Sequence, residues 1–255
     1  MRFTILGCGS SMGVPRPDGN FGNCNPNNKK NIRTRCSAVI QGKSLNIIID
    51  TSPDMRQQLI NNKITNIDKV LFSHMHADQT HGINDLRYFY LKTKVQIPVF
   101  ANKSTTNYLL KSFKYCFKKT NDFYPPIMKL KNLKKKHNFL KSKIKITSFE
   151  VEHGSINSLC YIVNDKLAYA SDVSSINKNN YQNISQLKYF VVDCLREEPH
   201  PSHYNLKKVL DLIKEIKPKY TILTNLHSSL DYTMLKKKLP KGVFPAYDGM
   251  KLFIN

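Results

Sequence analysis

A short run of histidines and an aspartate is the clearest chemical signal in the sequence. The run His74-Met75-His76-Ala77-Asp78 closely follows Lys69–Phe72, a short apolar segment typical of a strand. In an extended chain alternate side chains face the same way, so His74, His76 and Asp78 are expected to project into one pocket. Two imidazoles and a carboxylate are suitable ligands for Zn²⁺, Mn²⁺ or Fe²⁺. The spacing therefore predicts a metal site rather than a polar loop with surface histidines.

Further motifs lie along nearly the whole chain. They are the Gly7–Pro15 loop, Ile49-Asp50, His74–Gly82, Glu152-His153-Gly154, Ser171-Asp172, Val192-Asp193-Cys194, the His203 segment, Leu223-Thr224 and Tyr247-Asp248-Gly249-Met250. Together these motifs resemble the metallo-β-lactamase superfamily, and most closely its PhnP-like phosphodiesterases, the relatives of ribonuclease Z.

The resemblance implies a set of metal ligands that are far apart in the sequence. Carried over to this chain, it places His74, His76 and His153 on one metal ion. Asp172 would bridge this ion to a second one, which Asp78 also binds. The later motifs therefore supply the ligands that the first run lacks.

The resemblance also implies roles for residues around the metal. Asp50 ends a predicted core strand, and it would orient the histidine loop through a hydrogen bond rather than bind the ion itself. His203 matches a position that the family uses near the scissile phosphate, where it would protonate the leaving group. A surface turn in His200-Pro201-Ser202-His203 is the alternative for that residue. The predicted catalytic residues are thus Asp78 and His203.

Two positions depart from the family pattern, and both belong to the second metal. The family has histidine where this chain has Gln79 and Asn225, and a histidine follows each of them two residues later, at His81 and His227. Two residues of extended chain span about 6.6 Å, which a rotamer change alone does not bridge. Three interpretations remain open. Re-bent loops would let His81 and His227 bind, Gln79 and Asn225 would offer amide oxygens to a harder ion such as Mn²⁺, or the chain would hold a single ion.

The six cysteines are scattered and include no C-x-x-C pair. This spacing predicts neither a disulfide framework nor a cysteine zinc site. Some relatives carry a cysteine cluster in the loop around Cys24, and a lone Cys24 does not reproduce it. The cysteines are therefore expected to be small buried apolar residues.

The elements that must position these residues are predicted from apolar periodicity. The predicted strands are Arg2–Leu6, Ser37–Gln41, Leu45–Ile49, Lys69–Phe72, Lys143–Phe149, Leu159–Val163, Leu167–Ala170, Tyr189–Val192 and Tyr220–Thr224, and the predicted helices are Met55–Asn61, Gly82–Lys92 and Asn205–Lys217. Residues 101–145 are rich in lysine and are expected to form a solvated helix and loop, or alternatively a mobile basic insertion near the site.

Length and composition agree with the fold that the resemblance implies. The chain has 255 residues, of which 40% are hydrophobic, enough for a substantial core. The implied fold is α/β, a four-layer αββα metallo-β-lactamase sandwich that forms a single domain over residues 1–255. No apolar run approaches the roughly 20 residues that span a bilayer, and the N-terminal segment is too short for a secretory signal. We therefore expect a cytoplasmic protein that does not associate with membranes.

The net charge of +22 arises mainly from lysine, with 33 lysines against 7 arginines. A bias towards A/T-rich codons explains this excess, as does the abundance of 25 asparagines. A contribution to binding a phosphate-bearing substrate is the other explanation, because a basic surface attracts polyanions. Composition alone leaves both explanations open.

The sequence and the resemblance together predict a metal-dependent hydrolase with one or two Zn²⁺ or Mn²⁺ ions per chain. The predicted activity is that of a phosphodiesterase on a small or cyclic phosphodiester, through a metal-bound hydroxide. Two alternatives are kept: a ribonuclease Z-like RNA endonuclease, and a non-catalytic nucleic-acid-binding module that retains the fold. RNA as a partner and assembly into a homodimer are left open.

Overall fold

Apolar side chains alternate along the strands, so each sheet has two faces to cover. In the computed structural model, which describes residues 1–119, 123–139 and 142–254, the strands form two seven-stranded sheets. The first sheet has the order β14-β1-β2-β3-β4-β5-β6, antiparallel from β14 to β3 and parallel from β3 to β6. Its strands are β1 (Arg2–Gly7), β2 (Ser37–Gln41), β3 (Asn46–Ile49), β4 (Lys69–Leu71), β5 (Ile97–Ala101), β6 (Met128–Asn132) and β14 (Met250–Phe253).

The second sheet repeats this arrangement. Its strands are β7 (Lys136–Phe139), β8 (Ile144–His153), β9 (Ile156–Val163), β10 (Leu167–Ala170), β11 (Tyr189–Asp193), β12 (Tyr220–Thr224) and β13 (Val243–Pro245). The order is β13-β12-β11-β10-β9-β8-β7, antiparallel from β7 to β10 and parallel from β10 to β13. Each sheet thus combines three antiparallel pairings with three parallel ones, so the two sheets resemble each other.

Helices cover the outer face of each sheet. They are α1 (Met55–Asn61), α2 (Ala77–Thr80), α3 (Arg87–Thr93), α4 (Lys103–Ser112), α5 (Lys114–Phe117), α6 (Tyr181–Ile184), α7 (Leu206–Ile216) and α8 (Tyr232–Lys238). In β3, Ile47 and Ile49 pack between the two sheets, whereas Ile48 packs under the helices of the first sheet. Val209 and Leu212 of α7 pack on the outer face of the second sheet. These apolar layers confirm the four-layer αββα sandwich.

The structure corrects the prediction for the lysine-rich segment. Residues 101–145 contain not only α4 and α5 but also β6 and β7, the edge strands of the two sheets, with residues 120–122 and 140–141 outside the described part. In β6, Met128 is buried while Lys129 and Lys131 are exposed. Lysines on the solvent side of an edge strand discourage pairing with other chains, and they concealed the strand pattern. The predicted helix Gly82–Lys92 is likewise a 3₁₀ turn, Ile83–Leu86, followed by α3.

All six cysteines are buried and carry free thiols. No helix in the described ranges is long and apolar enough to cross a membrane.

Candidate metal centre

Polar residues gather where strands of the two sheets end along one edge. Asp50 follows β3, and His74 follows β4 in the first sheet. In the second sheet β8 ends at His153, Asp172 follows β10 and Asn225 follows β12. Because neighbouring parallel strands end at the same edge, the sheets bring residues from distant parts of the chain together.

Three imidazoles converge closely enough to bind one metal ion. His74 Nε2 lies 3.0 Å from His76 Nδ1, and His153 Nε2 lies 3.3 Å from the same atom. Tetrahedral Zn²⁺ with its usual bonds to nitrogen would hold two such ligand atoms about 3.3 Å apart. A single proton on His76 Nδ1 satisfies only one of its neighbours, whereas a metal ion would bind all three nitrogens. The structure therefore brings together the three predicted histidines of the first metal, and these residues fit a divalent ion.

Two of the three rings make hydrogen bonds through Nδ1, the nitrogen that faces away from the cluster. His153 Nδ1 lies 2.6 Å from the carbonyl oxygen of Ser202, which only accepts, so Nδ1 is protonated and Nε2 keeps its lone pair. His74 Nδ1 contacts the Ser73 hydroxyl at 3.0 Å. Burial lowers the pKa of His74 to about 3 and also lowers the pKa of His153. Both rings are thus neutral at physiological pH, the form that binds metals.

Asp50, which the resemblance implies orients the histidine loop, makes a hydrogen bond to the start of that loop. Its Oδ1 accepts a 2.7 Å hydrogen bond from the backbone N–H of Ser73, the residue whose hydroxyl contacts His74. Asp50 is fully buried and adopts a left-handed φ of 62°. Burial raises the pKa of Asp50, and the hydrogen bonds from Ser73 oppose that rise. The residue that follows β3 thus holds the start of the histidine loop in place.

Two carboxylates complete the polar centre. Asp172 is buried and, with His153 and His203, forms a second group whose ligand atoms all lie within 4.8 Å of one another. Burial opposes ionisation of Asp172, but the neighbouring imidazoles, His74 foremost, outweigh it and lower its pKa. Burial and the charge of Asp172 raise the pKa of Asp78 to about 7. Two carboxylates crowded beside the neutral rings of His74 and His153 form a donor set that favours a cation.

Asp78 reaches this cleft by a route that differs from the prediction. The extended chain ends at His76, and Asp78 lies on α2, a single helical turn. The alternation expected of a continuing strand therefore does not apply to it. Asp78 nevertheless lines the cleft together with His76 and Asp172.

The two amides at the departures from the family pattern both point their NH₂ groups at Asp172. Gln79 Nε2 donates to Asp78 Oδ2 at 3.0 Å and to Asp172 Oδ2 at 3.1 Å. Asn225 Nδ2 donates to Asp172 Oδ1 at 3.1 Å and to the Ser171 carbonyl at 3.0 Å. Both amides thus act as hydrogen-bond donors to Asp172, where a second ion would need acceptor atoms.

The two displaced histidines join neither group of ligand atoms among the described residues. His81 Nε2 lies 2.9 Å from the Tyr108 hydroxyl, and its ring packs against Phe113. His227 lines the cleft, but its Nδ1 accepts a hydrogen bond from the backbone N–H of Ser229. Its neutral ring therefore carries the proton on Nε2 and presents no lone pair there.

His203 is paired with an acid to which the sequence assigned no role. His203 Nδ1 lies 2.6 Å from Asp193 Oδ2, at the end of β11. Burial opposes protonation of His203, but the hydrogen bond and charge of Asp193 outweigh it and raise its pKa to about 9. The imidazole is thus protonated at neutral pH, with Nε2–H left for the cleft. The acid at the end of the buried segment Val192-Asp193 was the signal that could have identified it.

One cleft of about 350 Å³ is lined by seven of the residues that the sequence predicted: His76, Asp78, His153, Asp172, His203, Asn225 and His227. Besides the predicted residues, its walls include Arg196 and His200, which sequence reasoning did not single out as functional. The cleft is the size of a small-ligand site.

Comparisons with known proteins agree with this architecture. The family model described as a beta-lactamase superfamily domain matches residues 45–225. A solved structure described as a new diphosphatase from the PhnP family is 28% identical, covers 100% of this chain and 98% of that chain, and has a TM-score of 0.90. Zn²⁺-bound PqqB from Methylobacterium extorquens (15% identity, 100% of both chains, TM-score 0.75) and the short form of human tRNase Z (15% identity, 100% of both chains, TM-score 0.71) share the fold.

A curated relative shares its sequence over part of its length. It is an octanoyltransferase from Porphyromonas gingivalis, 28% identical over 259 residues, a match of 100% of this chain and 52% of that protein. The chain thus spans about half the length of this relative. Because the family model covers most of the chain and the fold agrees end to end, the predicted resemblance is confirmed, and the chain belongs to the metallo-β-lactamase superfamily with a likeness to the PhnP family.

Proposed function

We propose that the protein is a metal-dependent phosphodiesterase that acts on a small or cyclic phosphodiester. The observation that supports this most is that two groups of side chains with different chemistry lie at one cleft. One is the three-imidazole cluster, and the other is the protonated His203 held by Asp193. The first suits activation of water, and the second suits protonation of a leaving oxygen.

His74, His76 and His153 would hold the first ion, with Asp172 beside them. A bound divalent ion lowers the pKa of a coordinated water to about 7 and so supplies the nucleophile at neutral pH. The Ser202 carbonyl keeps the ring of His153 in the tautomer that binds metal, and the Ser73 hydroxyl contacts Nδ1 of His74. A second ion would have to bind at Asp78 and Asp172 against the NH₂ groups of the two amides.

His203 would donate its Nε2 proton to the leaving alkoxide. Asp193 holds Nδ1–H and keeps the charged imidazolium stable inside the cleft, so the ring has one nitrogen free for substrate. The ring of His203 lies 4.7 Å from that of His153, centroid to centroid. The proton donor is therefore next to the proposed metal ligands, where it could reach the leaving oxygen of an ester bound at the ion.

The size of the cleft favours a small ester. A volume of about 350 Å³ is close to the lower limit for small-molecule sites. An RNA endonuclease is the second candidate, and the net charge of +22 favours it. A non-catalytic nucleic-acid-binding module would account for the charge, but it gives no reason for a buried metal-ligand set. Octanoyl transfer is the activity named for a relative about twice as long, and no feature of this cleft calls for it.

The test is turnover of bis(p-nitrophenyl) phosphate by the purified protein, measured with and without a chelator. We expect turnover that the chelator abolishes, at least one equivalent of Zn²⁺, Mn²⁺ or Fe²⁺ per chain, and negligible hydrolysis of a cephalosporin. His76→Ala should lose most of the metal and the activity, because it removes the nitrogen that both other ligand atoms approach.

The matched control is His137→Ala, which removes an imidazole that does not line the cleft. Full metal content and turnover in His76→Ala would contradict the site. Rapid cephalosporin hydrolysis without phosphodiesterase activity would contradict the substrate class, and rapid cleavage of RNA alone would support the second candidate.

A further inference from the structure

Lysine is concentrated in one segment of the chain. Residues 101–145 hold 13 of the 33 lysines, no arginine and a single acidic residue, Asp122. This segment is less than a fifth of the sequence, yet it carries more than half of the net charge of +22. A codon bias acts along the whole gene, so it explains an excess of lysine but not its concentration in one place. The concentration therefore calls for a physical reason in the fold.

The topology places part of this segment around a second cavity. β5 and β6 are parallel neighbours in which Ala101 pairs with Asn132, so the start of α4 and the turn after β6 lie side by side. That turn, residues 133–135, crosses to the second sheet, where the Lys135 carbonyl accepts a hydrogen bond from the backbone N–H of Ser148 at 2.9 Å. A cavity of about 560 Å³ lies between these elements, and it shares no lining residue with the cleft at the metal centre.

The polar wall of this cavity is cationic. Four exposed lysines from α4, β6 and the turn line it: Lys103, Lys131, Lys134 and Lys135. No ion pair between the described residues includes any of the four. The one acidic side chain among the lining residues is that of Glu150, which accepts a hydrogen bond from Asn157 Nδ2 at 3.1 Å. The lysines thus outnumber the acid, and an anion in the cavity would relieve their mutual repulsion.

The remaining wall of the cavity is largely apolar. Leu130 and Leu133 line it from the first sheet and the turn, and the buried Phe149 and Leu159 line it from the second sheet. A small inorganic anion has no use for such a wall, whereas a nucleotide unit combines a charged phosphate with a base that has an apolar face. Proteins bind single strands through basic grooves that follow the backbone and through contacts with the faces of the bases.

We infer that the cavity between α4, β6 and β8 binds single-stranded nucleic acid. A duplex is the poorer fit, because its paired bases are turned inward and only its backbone would meet the apolar wall. Lys129 and Lys136, which are also exposed, extend the positive surface along β6 and β7 beyond the cavity, so a strand of several nucleotides would have cations to follow. The inference goes beyond the proposed function, because the lining residues include no proposed metal ligand or proton donor.

The test is the binding of fluorescein-labelled oligo(dT) of about 20 nucleotides, longer than most single-strand sites. Fluorescence anisotropy gives its affinity at several salt concentrations for the purified protein. Unlabelled oligo(dT) and a duplex of the same length compete for the site in parallel titrations. We expect the single strand to displace the probe at a lower concentration than the duplex.

Two variants with the same net charge separate the cavity from the overall charge. The cavity variant replaces its four lysines by glutamine: Lys103→Gln, Lys131→Gln, Lys134→Gln and Lys135→Gln. The control variant replaces four exposed lysines that line neither the cavity nor the cleft: Lys178→Gln, Lys208→Gln, Lys236→Gln and Lys237→Gln. In the cavity variant the affinity should fall at least about 10-fold at low salt, and the slope of log affinity against log salt should become shallower by about 2 to 3, since each phosphate contact of a single strand contributes about 0.7. The control should stay close to the unaltered protein.

Turnover of bis(p-nitrophenyl) phosphate by the same samples separates this inference from the proposed function. The cavity variant should keep both its turnover and its melting temperature, because its substitutions are exposed and lie outside the cleft. If the unaltered protein fails to hydrolyse the ester, the proposed function is contradicted, whereas a binding loss confined to the cavity variant still supports the inference. An equal loss of affinity in the two variants, no binding of oligo(dT), or a duplex that competes as well as the single strand would overturn it.

Discussion

The hydrogen bond between His203 and Asp193 gives one imidazole a role that differs from that of its neighbours. His74 and His153 are neutral because burial lowers their pKa values, whereas Asp193 raises that of His203 to about 9. Rings only a few ångströms apart thus differ in protonation state, which suits His74 and His153 to binding a metal ion and His203 to donating a proton. A bound cation would lower the pKa of His203, but the effect of Asp193 keeps its sign.

This division predicts the behaviour of His203→Ala. The variant should keep its metal and lose about 10²- to 10⁴-fold in turnover of an ester with a poor leaving group, the range typical of general acids. The loss should be much smaller for p-nitrophenolate, which departs without a proton. Steady-state kinetics on the two kinds of ester, with metal analysis of the same samples, provide the measurement. Loss of metal, or the same rate loss for every leaving group, would count against the role.

Asp193→Asn is the companion variant and gives the pH dependence. A general acid works below its pKa, so the rate for a poor leaving group should fall as pH rises through the pKa of His203. Asp193 raises that pKa, and its removal should therefore shift the fall to lower pH. An unchanged alkaline limb in Asp193→Asn would show that a different group controls it.

At the scale of elements, α2 and the turn after β12 supply the side chains that surround the place where a second ion would bind. The helical turn of α2 brings Gln79 to one side of Asp172, and Asn225, in a left-handed conformation with φ 60°, brings its amide to the other. Two neutral donors thus take up the carboxylate oxygens that a second cation would use. The arrangement does not fit ligation by amide oxygens, and it favours a centre with one tightly held ion, the third of the interpretations left open by the sequence.

Metal titration of the apo-protein tests this arrangement. We expect one tight equivalent of Zn²⁺ and a second that is loose or selective for Mn²⁺, because Gln79 and Asn225 direct NH₂ groups, and not imidazole nitrogens, at the Asp172 carboxylate that a second ion would share. Gln79→His combined with Asn225→His should tighten the second Zn²⁺. His227→Ala should leave the loose site unchanged, since His227 Nδ1 is held by the Ser229 backbone. Two equally tight Zn²⁺ ions in the native protein, retained in His81→Ala and His227→Ala, would refute the weakened site.

The elements also show what the sequence can and cannot predict. The strand before His74 and the alternation in β3 are local patterns, so they were predicted with nearly correct bounds. The edge strands β6 and β7 were missed because their stability comes from pairing with β5 and β8 rather than from their own composition. The orientation of Gln79 and the partnership of Asp193 with His203 depend on contacts between residues far apart in sequence, which spacing does not encode.

For the whole molecule, the important fact is that the candidate ligands come from both sheets. His74 and His76 follow β4 of the first sheet, whereas His153 ends β8 of the second. The sequence indicated each motif, but only the pairing of two similar sheets shows that they meet. A bound ion would therefore join the two sheets at the edge where the cleft opens.

This arrangement predicts that chelation destabilises the fold as well as stopping turnover. A ligand that binds only the folded state adds stability by mass action, by about 2.7 kcal/mol at a hundredfold excess over its dissociation constant. The melting temperature of the isolated protein should therefore fall when the ion is chelated and recover when Zn²⁺ is returned. His76→Ala should melt near the lower temperature and respond little to either treatment. A melting temperature that is indifferent to chelator would contradict the cross-link.

An ion bound by both sheets is also expected to exchange slowly with ions in solution. An ion held by side chains from two separate sheets leaves only after its bonds to both have broken, and local opening of the edge between the sheets, a rare excursion of the native state, would speed its release. The rate at which radioactive zinc exchanges with the bound ion would then report how often this local opening occurs. Substitutions deep between the sheets, far from any ligand, should increase the rate of zinc exchange while leaving the chemistry of the bound ion unchanged.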